Sequence, residues 1–195
     1  MKTFKMNSIT LVALILTLSF CSCKVNGPAN PPAEMQTWEN VLEQDLHMLG
    51  HRNWILVVDK AFPEQSSAGM KYIYVEQDLL PTLRYVLEKI ESSSHVKPII
   101  YRDKELSFIK EEQVAGIDTF RDKSESLLEG REVNTLLHDD VFKLLDESSS
   151  LFKVLVIKTN CTLPYTSVFL QMDCAYWNSE DEQVLRNRMS VKESL

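Results

Sequence analysis

The sequence predicts an α/β protein in which a layered sheet is flanked by helices. Stretches with apolar residues at helical spacing alternate with short runs rich in β-branched and aromatic residues. One of these runs, 54–58, is apolar on both faces, as expected of a central strand that is covered on both sides. The chain has 195 residues, 44% of them hydrophobic, which is enough for one domain with a core and a short appendage. We expect the domain at 35–195.

The appendage begins with the pattern of an export signal over residues 1–23. Two lysines precede a short apolar run at 9–20. The segment SFCSC, 19–23, closes the signal with small residues and two cysteines. This run is too short for a stable membrane span and is typical of a secretory signal. Cys23 is the expected lipidation site of a bacterial lipoprotein, with Cys21 as the second choice, although Phe20 departs from the usual lipobox. The alternative is an ordinary secretion signal with incidental cysteines.

A proline-rich tether at 24–34 separates this signal from the domain. The formal net charge is -7 and the sequence pI is about 5.2, so the chain lacks the basic surface that nucleic-acid binding needs. The same acidity disfavours electrostatic attachment to a membrane. We therefore expect an exported protein that is anchored to a membrane through its N-terminal lipid.

The first predicted helix has Thr37 as its N-cap and Gly50 as its C-cap. The apolar strand at 54–58 follows it. The run KYIYV at 71–75 predicts a second strand because it is rich in β-formers.

A second helix is predicted over 78–90, with Asp78 as its N-cap and a proline in its first turn. The next strand is expected at 96–101. Its Pro98 lacks a backbone donor, which indicates either an edge strand or the start of a strand.

The second half of the chain is less regular. The charge-rich stretch 105–129 is predicted to be helical, and a short helix is expected at 138–147. The last predicted strands lie at 152–158 and 167–172. Cys161 and Cys174 would stand at the two ends of the final strand, too far apart for a disulfide.

Two polar residues frame the strand at 54–58. Asp59 follows its carboxyl end, where open α/β sheets gather ligands, and His51 precedes it. A strand of five residues spans about 17 Å. The two side chains could therefore share a ligand only if the loop after Gly50 folded back or a neighbouring subunit took part. Their residue types alone also fit a helix-end histidine and a turn-forming aspartate.

Two segments resemble the D-ribose pyranase and L-fucose mutarotase family. LGHRNWILVVDKAFPE, 49–64, is similar to the family's N-terminal signature, which has Gly-His, an apolar strand and an Asp eight residues after the His. VIKTNCTLPYTSVFLQ, 156–171, resembles its closing segment, which contains Pro-Tyr-x-Asn before an apolar strand. The resemblance covers roughly residues 36–175. It implies the family's α/β fold, a monosaccharide substrate and assembly into rings in which a neighbour completes each site.

The resemblance also implies site residues. The catalytic histidine falls on His51 and the substrate-binding aspartate on Asp59. The motif tyrosine falls on Tyr165, whereas Ser167 replaces the family's asparagine. A histidine suits the proton transfers of sugar ring opening, since its pKa is close to neutral pH. The aspartate and tyrosine can hydrogen-bond sugar hydroxyls.

A second basic residue is expected shortly before the last strands of the family. His138 is the better candidate here and Arg131 the weaker one. His138 has an equally good alternative as a polar residue near a helix N-terminus. Lys60, which follows Asp59 in place of a small residue, would either act on the carboxylate or point to solvent.

The chemistry implied by the resemblance needs no cofactor and no metal. The sequence contains no GxGxxG, P-loop, HExxH or GxSxG motif, in agreement with that expectation. Two functions of different class follow. The first is an exported mutarotase or pyranase that interconverts anomers or ring forms of a free sugar. The second is an inactive relative, a lipoprotein that binds a sugar or a partner protein. The presence of His51 and Asp59 favours the first function, whereas the change at Ser167 and the expected export favour the second.

Overall fold

The structure is a computed structural model that describes residues 37–192. The predicted signal, the lipidation site at Cys23 and the tether at 24–34 lie outside the described residues and stay predictions. Within 37–192, helices and strands alternate along most of the chain. The elements are α1 (Trp38–Leu46), β1 (Trp54–Val58), β2 (Met70–Tyr74), α2 (Leu79–Glu91), β3 (Val96–Asp103), α3 (Ile117–Leu128), β4 (Val133–Leu136), α4 (His138–Leu151), β5 (Val154–Lys158), β6 (Val168–Cys174) and α5 (Ser179–Lys192).

The described strands form one six-stranded sheet in the order β2-β5-β1-β6-β3-β4. β1 pairs with β5 in parallel and with β6 in antiparallel orientation. β6 is also antiparallel to β3, and β3 is parallel to β4. The carboxyl ends of β1, β3, β4 and β5 therefore lie at the same edge of the sheet as the first residue of β6. This arrangement decides which side chains can meet.

β1 forms the centre of the core, as predicted. All five of its residues are buried, with at most 1% of each exposed. Ile55 and Val57 join the larger apolar cluster, which includes side chains of α1, α2 and α3. Trp54, Leu56 and Val58 join a second cluster with α4. Because side chains alternate along a strand, one strand supplies both clusters. Full burial of each Leu or Ile contributes about 1.5–3 kcal/mol.

The first helix ends earlier than predicted. Thr37 is its N-cap, and the Thr37 side chain accepts a hydrogen bond from the Asn40 N–H. The helix stops at Leu46, however, with His47 as C-cap, so the assignment of Gly50 as C-cap is wrong. The Gly50 N–H instead donates to Asn53 Oδ1 at 2.7 Å, within the turn that leads into β1.

Pro98 lies near the start of β3, and β3 is not an edge strand. Pro98 pairs with Met172 of β6, whereas the pairing with β4 begins only at Ile100. The missing N–H of the proline therefore removes no bond to β4. Of the two predictions made for this residue, the strand start is confirmed.

The charge-rich stretch at 105–129 is not one helix. A short 3₁₀ helix at Lys104–Phe108 precedes a turn, and α3 begins after Gly116, which has a φ of 88°. The Glu111 carboxylate accepts hydrogen bonds from the backbone N–H groups of Gly116 and Asp118, and so caps this helix. β4 and α5 were not predicted. No helix within 37–192 has the length and apolar character to cross a membrane.

Candidate functional site

Four of the predicted site residues lie at one edge of the sheet. Asp59 follows β1, and His138 is the first residue of α4, shortly after β4. Tyr165 and Ser167 precede β6, which runs antiparallel to β1. Since the start of β6 pairs with the end of β1, the chain brings these side chains to the same edge from three separate segments.

Ser167 holds the Asp59 carboxylate in place. The Ser167 hydroxyl donates to Asp59 Oδ2 at 2.9 Å and accepts from the Asp59 backbone N–H at 3.2 Å. The other carboxylate oxygen, Oδ1, accepts from the Ala61 N–H at 2.8 Å. Only 3% of Ser167 is exposed. Ser167 is therefore bonded to the aspartate rather than left without a partner.

Lys60 does not turn toward this carboxylate. Its ammonium group donates to Asn160 Oδ1 at 3.1 Å and lies 5.7 Å from the centre of the Tyr74 ring. Tyr74 donates to the same Asn160 oxygen. Lys60 is therefore part of a polar contact between β2 and the β5–β6 loop.

His138 is held at three points. Its ring Nδ1 lies 3.1 Å from Asp103 Oδ2. Its backbone N–H donates to both carboxylate oxygens of Glu105 at 3.1 Å. The ring also packs against Phe142 and Tyr165, with centroid distances of 4.8 and 5.2 Å. About a third of the His138 side chain, 37%, remains exposed.

Asp103, the last residue of β3, was not predicted as a site residue. Its side chain is almost fully buried, and its Oδ1 has no hydrogen-bond partner. Burial raises the pKa of the Asp103 carboxyl to about 6, from an ordinary value of 3.8, and the hydrogen bond with His138 acts in the opposite direction. The negative charges of Glu105 and Asp59 add to the rise. An acidic residue at the carboxyl end of a strand was the available signal, the same one that identified Asp59.

Tyr165 has a left-handed backbone. Its φ is 56°, a conformation that costs a residue with a side chain roughly 1–2 kcal/mol. Such strain is found preferentially at functional sites. The ring meets His138 edge to face, and beside it lies a cavity of about 450 Å³ that Glu105 and Phe108 also line. A larger groove of about 880 Å³ between α2, α3 and the β5–β6 loop contains none of the predicted site residues.

His51 lies at the opposite end of β1. Its Nδ1 is 3.1 Å from Asp173 Oδ1, and 58% of its side chain is exposed. Asp173 belongs to the end of β6, which pairs with the start of β3 at Lys97. The loop after Gly50 does not fold back, so one copy of the chain does not bring His51 to Asp59.

Arg131 also lies away from the candidate site. It precedes β4, whereas His138 follows this strand. The guanidinium group of Arg131 donates to Glu91 Oε1 at 2.7 Å and to the Leu127 carbonyl at 2.9 Å. Of the two candidates for the second basic residue, the structure places only His138 at the Asp59 edge of the sheet. Across residues 37–192, no three side chains of metal-ligating type converge on one point.

Comparison with known proteins finds a solved structure of similar fold. RbsD of Bacillus subtilis, whose structure was solved with D-ribose, is similar at a TM-score of 0.50 and 22% identity, over 69% of this chain and 92% of RbsD. The fucose mutarotase of Streptococcus pneumoniae, solved with L-fucose, has a TM-score of 0.47 and 20% identity over 69% of this chain and 91% of its own. FucU of Bifidobacterium longum has a TM-score of 0.44 and 15% identity, over 67% of this chain and 91% of its own. No protein-family model and no curated protein matches the sequence. The predicted α/β fold, a sheet flanked by helices, is confirmed.

Proposed function

We propose that the protein is an exported mutarotase or pyranase that interconverts anomers or ring forms of a free monosaccharide. The observation that carries this proposal is the group at one edge of the sheet, where Ser167 fixes Asp59 and His138 packs against Tyr165. The similarity in fold to RbsD, a protein solved with D-ribose, supports a sugar as the ligand.

Ring opening needs one base and one acid. The base removes the proton of the anomeric hydroxyl, the bond between the anomeric carbon and the ring oxygen breaks, and the acid protonates the ring oxygen. Closure on the other face gives the second anomer. His138 can supply one proton-transfer group, since its ring lies at the site and its Nδ1, not its Nε2, is the nitrogen that meets Asp103. Asp59 and Tyr165 can hold sugar hydroxyls.

His51 would act in the site of a neighbouring copy. It is exposed at the far end of β1, and Asp173 orients its ring. In a homo-oligomeric ring, the exposed His51 of one copy could meet the Asp59 end of the next. This assignment gives the reaction its second proton-transfer group and accounts for both predicted histidines.

Export would place the reaction outside the cytoplasm. In this proposal Cys23 carries the lipid, 24–34 is the tether, and the domain stands off a membrane surface. Incorporation of labelled palmitate tests this part, because a Cys23→Ala variant should lose the label while Cys21→Ala keeps it. Equal labelling of both variants would contradict the assignment.

The alternative is a lipoprotein that binds a sugar or a partner without turnover. The serine at position 167 favours it, because this hydroxyl is engaged with Asp59 on both its donor and acceptor sides. A family asparagine has an amide that can bond the sugar directly.

Saturation-transfer NMR with free ribose, fucose and other monosaccharides separates the two functions. We expect faster anomer exchange with the wild type, loss of the acceleration in His51→Ala and His138→Ala, and no change in His47→Ala, an exposed histidine at the end of α1. Saturable sugar binding without faster exchange would establish the binding protein. Neither binding nor exchange, from a folded protein, would refute the mutarotase and the sugar-binding protein and leave only the binding of a partner protein.

A further inference from the structure

We infer that Asp103 is a positioning residue for His138: it accepts a hydrogen bond from a protonated Nδ1 and so leaves Nε2 as the nitrogen that meets the substrate. The two partners differ in accessibility as such a role requires. The Asp103 side chain is 1% exposed, whereas 37% of the His138 side chain is open to solvent. The carboxylate can thus reach the imidazole but not a ligand outside.

The surroundings of His138 leave its ring few other orientations. Glu105 binds the backbone N–H of His138, and Phe142 and Tyr165 both contact the ring. α4 has no side-chain N-cap of its own, since Leu137 occupies that position. Glu105 therefore fixes where the helix begins, and Asp103 fixes which ring nitrogen points inward.

The burial of Asp103 fits this role better than a role in stability alone. Its Oδ1 is buried without a hydrogen bond, which destabilises the folded protein, and its Oδ2 bonds His138. A carboxylate in this position also stabilises the imidazolium that forms when Nε2 accepts a proton. The raised pKa of the Asp103 carboxyl, caused first by burial, agrees with a group that shares a proton with its partner. The other charged groups that act on Asp103 are Glu105 and Asp59.

The role of Nε2 in sugar ring opening rests on the proposed function, and its protons balance. Nε2 takes the proton of the anomeric hydroxyl, whose oxygen becomes the carbonyl oxygen as the ring bond breaks. The ring oxygen takes a proton from the second acid, assigned above to His51 of a neighbour. Closure in the opposite sense returns both protons, so nothing is consumed.

Nitrogen NMR of the histidine side chains tests the inference without any sugar. The chain has four histidines, and a His138→Gln variant identifies the signals of His138. At alkaline pH, where the imidazole is neutral, we expect a protonated Nδ1 and a bare Nε2 in the wild type. The Asp103→Ala variant should lose this preference, and Glu105→Gln, which changes a charge beside the backbone of His138, should keep it.

A bare Nδ1 in the wild type would overturn the inference, and so would an unchanged proton position in Asp103→Ala. If the Asp103→Ala variant does not fold, the position of the proton in the wild-type spectrum tests the inference by itself. In the sugar-exchange assay, Asp103→Ala should lower the rate at saturating sugar at least about tenfold, with little change in half-saturation. Failure of the proposed function gives a different result from failure of this inference. Neither the wild type nor any variant would then accelerate sugar exchange, while the nitrogen signals would still report the Asp103–His138 pair.

Discussion

Replacement of Asp103 by asparagine should change how the stability of the protein depends on pH. In the folded protein, burial raises the pKa of this carboxyl to about 6, whereas the unfolded chain has a value near 3.8. Between these values the folded state holds a proton that the unfolded state has released. The free energy of unfolding therefore falls as pH rises through this range. The contribution of Asp103 is favourable below about pH 4 and is lost above about pH 6.

The size of the effect follows from the two pKa values. The difference between 3.8 and about 6, at about 1.36 kcal/mol for each pH unit, amounts to about 3 kcal/mol. An asparagine side chain cannot ionise, so the Asp103→Asn variant would lack this loss. We expect the variant to gain up to about 3 kcal/mol relative to the wild type between about pH 4 and about pH 7.

Urea unfolding of both proteins across this range measures the difference. Asp139→Asn, which removes an exposed carboxylate at the start of α4, controls for the change in net charge. The asparagine amide accepts a weaker hydrogen bond from His138 than a carboxylate does, which changes the stability of the variant, whereas the test compares the slopes of stability against pH. Two parallel stability curves for wild type and Asp103→Asn would refute it.

Two further substitutions test the packing around the site and the sheet. Ser167→Ala removes the hydroxyl that bonds both the carboxylate and the backbone N–H of Asp59. Urea unfolding should show that the free energy of unfolding falls by about 2 kcal/mol. A decrease below about 0.5 kcal/mol would contradict the bonding described. Gly69→Ala would push a Cβ into the backbone carbonyl oxygens of Ser149 and Phe152. Thermal unfolding should therefore show that the free energy of unfolding falls by more than about 2 kcal/mol. Gly50→Ala has open space around the new Cβ and is the matched control; equal losses at both glycines would count against the close approach.

The sequence predicted well those features that local patterns determine. The apolar run of β1 and its burial on both faces follow from five consecutive apolar residues. Asp59 was found because ligands gather at the carboxyl ends of strands. α5 was missed because it is polar along most of its length and carries no regular apolar face. β4 was missed because it has only four residues, none of them buried.

The contacts within the site could not be predicted in the same way. Asp103 lies just before the charge-rich stretch at 105–129, and its partner His138 is 35 residues away. Their meeting depends on the pairing of β3 with β4, which no local pattern reveals. The spacing of His51 and Asp59 did indicate separation along β1. The sequence could not show that Ser167 would bond both the carboxylate and the backbone of Asp59.

The pairing of β1 has a consequence for how the chain folds. Trp54 pairs with Val154 on one side and with Gln171 on the other, so the central strand finds both neighbours only near the C-terminal end of the chain. Contacts between residues so distant in sequence form slowly, because long loops must close first. β1 therefore cannot complete its pairing until residue 171 has been synthesised. That delay suits passage through a membrane channel in an unfolded state, which the proposed export would require.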